Sequence, residues 1–224
     1  MAHELKLMVF DMAGTTVEDG GQVPAAFGAA LGECGIALSD EQLGNVRGAS
    51  KREAIAELVM QYASPAWHGR SDEVYVSFVR HLEREFAGSV KPIAGAAETF
   101  TWLRDRGVKI ALTTGFDRDV AGLLIDALGW RKIADAFVCG DDVPKGRPAP
   151  YLIFHAMEAT GAESVHAVGT LGDTVLDLQA AHNAGVRLNI GALSGAHDRA
   201  RMQTQPHTRL INSVADLPAL LAQL

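Results

Sequence analysis

Residues 5–17 decide the fold of this chain, and they read Leu-Lys-Leu-Met-Val-Phe-Asp-Met-Ala-Gly-Thr-Thr-Val. An apolar run ends in a carboxylate, Asp11, and a Gly-Thr-Thr turn follows at once. Because ligands bind beyond the carboxyl ends of the strands in an open parallel sheet, a strand that ends at Phe10 places Asp11 at the mouth of a site. The turn is expected to offer backbone N–H groups and small side chains to a phosphoryl group.

Ala13 limits the chemistry that this turn can support. A second Asp two residues after Asp11 would supply a general acid and base, but Ala13 carries only a methyl group. Either the proton comes from another part of the chain, or the leaving group needs none.

The strand pattern recurs along the chain. Further apolar runs span residues 108–113, 136–140, 165–169 and 187–193. Between several of them lie amphipathic stretches that stop at glycines, as helices commonly do. Alternating strands and helices predict an α/β fold with a parallel sheet that is covered on both faces.

One segment, residues 20–88, breaks this alternation, because it holds helical patterns and no convincing strand. Pro24 opens a first helix, Ser50 with Glu53 makes the capping-box pattern of a second, and Ser71 begins a third. The pattern indicates a helical module inserted after the first strand. The predicted division is a core of residues 1–18 and 90–224 and a helical cap of residues 19–89.

Composition narrows the classes of function. The net charge of −7 argues against a general nucleic-acid binder, which needs a basic face. The first apolar run, which Lys6 interrupts and Asp11 closes, is too short for a signal peptide or a membrane span. Cys34 and Cys139 form no metal-binding or redox motif, so a reduced, cytoplasmic setting without a membrane partner is expected.

Two polar residues follow predicted strands where a phosphoryl group would lie. Thr114 ends the second strand, and its hydroxyl suits a phosphoryl oxygen; the alternative is an ordinary strand-terminal turn. Arg147 precedes a helix, and its fork of donors suits a phosphate dianion. The alternative for Arg147 is a basic surface residue before a helix.

Asp173 and Asp177 form a further pair. Two carboxylates four residues apart share one face of a helix and suit a hard cation such as Mg²⁺. The alternative is an Asp N-cap followed by a solvated Asp. Each feature alone favours its plain alternative, but their order along one chain favours a phosphoryl-transfer site.

In that order the chain resembles the haloacid dehalogenase superfamily over essentially its whole length. The resemblance implies a Rossmann-like core of that type with an inserted α-helical cap. It is also compatible with a homodimer that forms through the cap. It implies catalytic roles for Asp11, Thr114 and Arg147. The Mg²⁺ ligands that it implies are Asp11, the backbone carbonyl of Ala13, Asp173 and Asp177.

The segment around Ala13 is similar to one family of that superfamily, the phosphonoacetaldehyde hydrolases or phosphonatases, in which Ala stands at the second Asp position. Residues 113–115 and 141–148 also look like phosphonatase segments. The family has a cap lysine that forms a Schiff base with the substrate aldehyde, and Gly48-Ala49-Ser50-Lys51 is similar to its Gly-x-x-Lys. The predicted substrate-binding residues are Ala13, Gly48, Gly115 and Arg47.

The predicted position of Lys51 suits a nucleophilic amine. If Ser50 is an N-cap, Lys51 is the first helical residue, where the positive helix terminus disfavours the ammonium form. Arg47 and Arg52 are expected to act in the same direction. The alternative is a solvated lysine that only attracts a phosphate.

Several residues depart from the phosphonatase pattern, among them Gly21 or Gln22, which stands where the family carries a Cys early in the cap. Ala54 stands where the family carries a His that moves protons, Arg47 replaces a Met, and Phe116 replaces a Tyr. The resemblance therefore extends to the chemistry of the core more fully than to the cap, which selects the substrate.

The sequence predicts a Mg²⁺-dependent hydrolase that cleaves the C–P bond of a small oxo-phosphonate, either phosphonoacetaldehyde or a related compound. One alternative is a phosphate monoesterase acting on a small phosphorylated metabolite, whose alkoxide leaving group wants a proton that Ala13 cannot give. Another is a catalytically inert phosphate-binding regulator, which would have no need of a nucleophile at Asp11.

Overall fold

Six parallel strands form one sheet in the computed structural model of this chain, which describes residues 4–86 and 90–224. The strands are β1 (Leu7–Asp11), β2 (Lys109–Thr113), β3 (Ala136–Val138), β4 (Val168–Gly172), β5 (Leu188–Ala192) and β6 (Arg209–Ile211). Their order is β3-β2-β1-β4-β5-β6. The order reverses beside β1, and open sheets of this kind bind ligands at such a switch point. The predicted α/β fold with a parallel sheet is confirmed.

The fourth strand starts three residues later than predicted. Val165–Ala167 form a 3₁₀ turn, in which the hydroxyl of Ser164 accepts a hydrogen bond from the backbone N–H of His166 at 3.3 Å. Glycines at both ends of the Gly-Thr-Leu-Gly stretch that follows hide its strand character, since Gly is depleted in strands. The later end brings Asp173 directly to the edge of the sheet at which Asp11 stands. β6 has no counterpart among the predicted strands.

Among the described residues, the first four α-helices after β1 form the inserted cap: α1 (Gln22–Glu33), α2 (Asp40–Asn45), α3 (Lys51–Tyr62) and α4 (Ser71–Phe86). In the described part of this segment, residues 20–86, no strand occurs. The predicted helix starts after Ser50 and at Ser71 are confirmed. The division at residues 19 and 89 stays a prediction, and its second boundary lies outside the described residues.

Six further helices belong to the remainder of the chain: α5 (Ala96–Arg104), α6 (Arg118–Ala127), α7 (Tyr151–Thr160), α8 (Val175–Ala184), α9 (Arg199–Met202) and α10 (Leu217–Leu221). Aromatic side chains pack in both parts. Phe27 and Phe78 meet edge to face within the cap, with ring centroids 5.2 Å apart. Phe10 on β1 meets Phe100 on α5 at 5.1 Å. No helix of the described residues has both the length and the apolar character needed to cross a membrane.

The chain passes between core and cap twice, and the two passages lie side by side. Glu18 donates its backbone N–H to the carbonyl of Lys91 at 2.9 Å, and Ile93 donates to the carbonyl of Thr16 at 2.9 Å. The helical segment is thereby anchored close to the turn that follows β1.

Candidate active site

Asp11 is the last residue of β1 and lies at the carboxyl edge of the sheet, in register with Thr113 of β2. It is buried, and its Oδ1 accepts a hydrogen bond from Nη1 of Arg147 at 2.7 Å. Burial raises the pKa of Asp11 to about 6, and the positive charge of Arg147 opposes that rise. At neutral pH the carboxylate is therefore mostly ionised, as a nucleophile must be.

The Gly-Thr-Thr turn after Asp11 does not offer its N–H groups to a ligand, contrary to the sequence-based expectation. Thr15, Thr16 and Val17 all donate to the carbonyl of Met12, and Gly14 donates to the carbonyl of Val17. The turn instead brings Thr15 to Asp173, whose Oδ1 accepts a hydrogen bond from the Thr15 hydroxyl at 3.2 Å.

Asp173 and Asp177 reach the site by different routes, so the predicted shared helix face is wrong. Asp173 directly follows β4, and Thr174 is the N-cap of α8, so Asp173 lies outside that helix. Asp173 is buried, and its Oδ2 accepts a hydrogen bond from the N–H of Ala196 at 2.6 Å. Asp177 places Oδ1 2.9 Å from Nε of Arg147, and its Oδ2 accepts from the Thr174 hydroxyl at 2.6 Å.

A cavity of about 40 Å³ brings the chemical groups together. The residues that line it come from both the core and the cap, and they include Asp11, Ala13, Asp19, Arg47, Gly48, Lys51, Thr114, Gly115, Phe116, Arg147 and Asp173. All the predicted site residues except Asp177 line this one cavity. Asp177 is one contact away, behind Arg147.

The donor set around Asp11 fits a hard cation. Burial, followed by repulsion from Asp11 and Asp177, raises the pKa of Asp173 well above its ordinary value. A cation between these carboxylates would relieve that cost. Within residues 4–86 and 90–224 no three His, Cys, Asp or Glu side chains are grouped to hold a metal, and both oxygens of Asp177 contact other residues. Mg²⁺ commonly binds through one or two carboxylates and takes its other ligands from water and substrate phosphate, so Asp11 and Asp173 suffice in number.

Arg147 is buried and its guanidinium is almost fully engaged. Nη1 donates to Asp11 and, at 3.3 Å, to the carbonyl of Gly48, while Nη2 donates to the Thr113 hydroxyl at 2.8 Å. With Nε on Asp177, only one of the five guanidinium protons has no acceptor among the described residues. The geometry thus makes Arg147 a holder of the Asp11 carboxylate; its contact with a phosphoryl group stays a prediction.

Thr114 lies buried at the end of β2, beside the loop that faces the cap. Its hydroxyl oxygen accepts a hydrogen bond from the N–H of Phe116 at 3.2 Å. The hydroxyl proton remains available to a phosphoryl oxygen in the cavity.

The cap segment before α3 sits tightly against two core loops, and glycines allow this approach. Gly48 has a φ of 81°, and a Cβ on it would lie 2.3 Å from the Thr174 hydroxyl oxygen. A Cβ on Gly115 would lie 2.2 Å from the carbonyl oxygen of Ala49. The backbone N–H of Lys51 donates to the carbonyl of Gly115 at 3.0 Å. These contacts hold the start of α3 over the ends of the strands.

Lys51 is the first residue of α3 and is buried, with 7% of the residue exposed. Its Nζ donates to the carbonyl of Ala49 at 3.0 Å and lies 5.5 Å from the centroid of the Phe116 ring. Burial lowers the pKa of Lys51 to about 8; Asp11 opposes the shift, and Arg147 adds to it. The amine is therefore much closer to its neutral, nucleophilic form than an exposed lysine is.

Arg52 does not act on Lys51 in the way that the sequence suggested. Its guanidinium lies outside the cavity, where it pairs with Asp117 at 2.9 Å and with Asp72 at 2.6 Å. Arg147, which comes from a distant part of the chain, is the cation that lowers the pKa of Lys51.

Two residues from the cap, Asp19 and Arg47, add charged side chains to the wall of the cavity. Asp19 was not singled out from the sequence, where an Asp before Gly-Gly reads as a turn; its Oδ1 accepts the N–H of Gly21 at 3.2 Å. Arg47 lies opposite, with Nη1 4.0 Å from Oδ2 of Asp19. Ala54, by contrast, is buried in the apolar core and does not line the cavity.

Comparison with known proteins places this geometry in a family. A family model described as a haloacid dehalogenase-like hydrolase matches residues 5–185. A phosphonoacetaldehyde hydrolase from Hahella chejuensis is 30% identical over 251 aligned residues, which cover 96% of this chain and 85% of that protein. A phosphonoacetaldehyde hydrolase from Parabacteroides distasonis is 34% identical over 147 residues; the match covers 64% of this chain and only about half, 54%, of that relative.

Solved structures share the fold. A phosphonoacetaldehyde hydrolase-like protein from Oleispira antarctica superposes with a TM-score of 0.86 at 22% identity, covering 99% of this chain and 93% of that one. A hydrolase from Pseudomonas syringae also gives a TM-score of 0.86, at 24% identity, with 98% and 99% covered. At these sequence identities the structural similarity supports the fold alone, which is a Rossmann-like core with an inserted helical cap.

Proposed function

The chain belongs to the haloacid dehalogenase-like hydrolase family, and from that premise we propose that it hydrolyses the C–P bond of a small oxo-phosphonate. One observation carries the proposal: a buried lysine with a lowered pKa shares a small cavity with Asp11, while Ala13 offers no acid. An amine suits a carbon leaving group, whereas an oxygen leaving group needs a proton. The relatives named phosphonoacetaldehyde hydrolases support the same substrate class.

The first half of the proposed reaction prepares the leaving group. The neutral amine of Lys51 attacks the carbonyl carbon beside the C–P carbon and, with loss of water, forms an imine. Its protonated form is an electron sink. An oxygen of Asp11 then attacks phosphorus in line, the C–P bond breaks, and its electron pair enters the iminium to give an enamine. No proton has to reach the leaving carbon during that step, which is why Ala13 is compatible with it.

The second half restores both residues. Water attacks the aspartyl phosphate, which releases inorganic phosphate and the Asp11 carboxylate. The enamine takes a proton on carbon, and water hydrolyses the resulting imine to the free aldehyde and the amine of Lys51. The net reaction consumes one water molecule for each C–P bond cleaved.

Other residues hold the reacting groups in place. Arg147 keeps the Asp11 carboxylate in position through the 2.7 Å contact, and the Thr114 hydroxyl donates to a phosphoryl oxygen. We propose that Asp11, the carbonyl of Ala13 and Asp173 hold Mg²⁺, with Asp177 in support. When bound, the ion neutralises the charge that otherwise keeps a phosphonate dianion from a carboxylate.

A phosphate monoesterase is the second candidate, and Asp19 is the observation that favours it. Its carboxyl group lines the cavity and, unlike those of Asp11 and Asp173, has no other proposed role, so it could substitute for the acid missing at Ala13. Its Oδ1 already accepts backbone N–H groups from Gly21 and Val23, at 3.2 and 3.4 Å.

Phosphate release from phosphonoacetaldehyde and from a panel of small phosphate monoesters, each with Mg²⁺, separates the two candidates. The proposal expects turnover of the phosphonate at a kcat/KM well above that of every ester. Faster release from an ester, with Asp19→Asn abolishing it, would establish the monoesterase instead. A cytoplasmic location and a homodimer through the cap stay predictions.

A further inference from the structure

Arg47 is a cation in the wall of the reactive cavity, and its guanidinium makes few contacts with other residues. Its nearest carboxylate is Asp19, at 4.0 Å, which is beyond hydrogen-bond distance. None of the residues that the structure describes accepts a hydrogen bond from its guanidinium, and only 31% of the side chain is exposed. No nitrogen of the Arg47 guanidinium is both buried and unpaired, so its five donors are accessible to water and equally to an anion that enters the cavity.

The position of Arg47 relates it to the carbon end of the substrate. Arg147 and Thr114 lie with Asp11 at the strand ends, which is the phosphoryl side of the cavity. Arg47 comes from the cap, four residues before Lys51, which begins α3. It also lines a second, open groove of about 440 Å³, so it stands where the cavity meets the outside.

From this placement we infer that the enzyme prefers oxo-phosphonates whose carbon end carries a carboxylate, which Arg47 binds through its guanidinium fork. The inference rests on the proposed function for its substrate class, because it extends that class from a neutral aldehyde to a 2-oxo acid. A planar guanidinium matches a carboxylate in a bidentate pair. A 2-oxo carbon next to the carboxylate would remain within reach of the Lys51 amine, so the cleavage chemistry is unchanged.

The charged side chains of the cavity leave Arg47 available to a substrate carboxylate. Arg47, Lys51 and Arg147 face the carboxylates of Asp11, Asp19 and Asp173. Arg147 is occupied by Asp11 and Asp177, so Arg47 is the guanidinium in this wall with donors to spare. Asp19 lies near enough to orient it by charge, without taking its hydrogen bonds.

A binding experiment tests the inference without requiring turnover. Two ligands of equal length, 3-phosphonopropionate and propylphosphonate, differ in whether a carboxylate or a methyl group ends the chain. In calorimetry with Mg²⁺, the wild-type protein should bind the carboxylate ligand at least about tenfold more tightly, as expected for charge-assisted hydrogen bonds. Arg47→Met and Arg47→Gln should both remove that preference, because they lower the affinity for 3-phosphonopropionate far more than the affinity for propylphosphonate.

Arg84→Met is the matched control, because Arg84 is an exposed cap residue that does not line the cavity. This variant loses the same charge and should keep the preference. Equal affinity of the wild-type protein for both ligands, or a preference that survives in both Arg47 variants, would overturn the inference.

Turnover separates this inference from the function on which it rests. Phosphate release from 3-phosphonopyruvate should exceed release from phosphonoacetaldehyde in kcat/KM, and Arg47→Met should reverse that order. Cleavage of phosphonoacetaldehyde without any carboxylate preference would refute the role of Arg47 and leave the proposed function standing. A carboxylate preference in binding with no cleavage of either phosphonate would establish the role of Arg47 and refute C–P hydrolysis.

Discussion

The rate of C–P cleavage should rise with pH and level off above about pH 8, because only the neutral amine of Lys51 attacks a carbonyl. Burial lowers the pKa of this amine from its ordinary value to about 8. Because Lys51 is a cationic acid, its neutral fraction increases as the pH rises through this lowered pKa. The active fraction is therefore small at pH 6, half at about pH 8 and nearly complete above it.

The magnitude follows from the shift. With a pKa of about 8 the neutral fraction at pH 7 is roughly one tenth, whereas an exposed lysine has roughly 3 parts in 10,000. Burial of Lys51 is thus worth roughly 300-fold in the concentration of the nucleophile at neutral pH. Between pH 6 and 8 the rate should change by about tenfold per pH unit.

Asp11 adds a second limb at low pH. Its pKa is raised to about 6, so below that value protonation removes the attacking carboxylate and the rate should fall more steeply. Bound Mg²⁺ favours the ionised form of Asp11, so saturating Mg²⁺ should move this lower limb toward acid.

The assay is the initial rate of phosphate release from phosphonoacetaldehyde between pH 5 and 10, measured with Mg²⁺ at several concentrations and expressed as kcat/KM. Circular dichroism at each pH checks that the fold persists. A flat profile between pH 6 and 8, or an inflection near the ordinary lysine value, would refute the reasoning about Lys51.

Three further perturbations test other parts of the site. Asp11→Asn should abolish phosphate release while circular dichroism shows the fold intact, and activity within a few-fold of wild type would remove Asp11 as the nucleophile. Excess chelator should stop turnover and Mg²⁺ should restore it, so full activity in chelator would count against the carboxylate pair as a metal site. Gly115→Ala would place a Cβ 2.2 Å from the Ala49 carbonyl oxygen and should displace the Lys51 segment, which lowers imine formation far more than Gly122→Ala, a control in open space.

The parallel sheet and the cap could be predicted because their signals are local. The apolar run before Asp11, the capping Ser50 and the amphipathic stretch from Ser71 each determine structure from a few neighbouring residues. The haloacid dehalogenase resemblance, which rests on such local motifs, is confirmed by the family match. The short strand β6 was not found because its three residues offer no pattern of their own.

The predicted geometry of the site was wrong where it depends on contacts between distant parts of the chain. Spacing alone suggested a shared helix face for Asp173 and Asp177, but the strand continues to Gly172 and the helix begins only after Thr174. The capping box predicted for Ser50 is only half formed. The Ser50 hydroxyl does cap α3, but Glu53 reaches across to accept the N–H of Gly146 at 2.9 Å.

The proximity of Asp19 to Arg47 could not be predicted from the sequence either. These residues lie 28 positions apart in sequence, and only the packing of the cap over the strand ends brings both into one wall. The cation that lowers the pKa of Lys51, Arg147, likewise arrives from the core. Local sequence motifs identify the reacting residues. The contacts that set the protonation of these residues and the specificity for substrate are tertiary contacts, which the sequence does not show directly.

Reductive trapping tests the central claim, an imine on Lys51, most directly. Borohydride added together with phosphonoacetaldehyde should inactivate the enzyme, and peptide mass spectrometry should locate a reduced adduct on Lys51. Lys51→Arg, which keeps the charge but stays protonated, should form no adduct and lose C–P cleavage almost completely. If Lys51→Arg instead retains cleavage and the wild-type enzyme forms no adduct, Lys51 only anchors an anion and the Schiff-base mechanism is wrong.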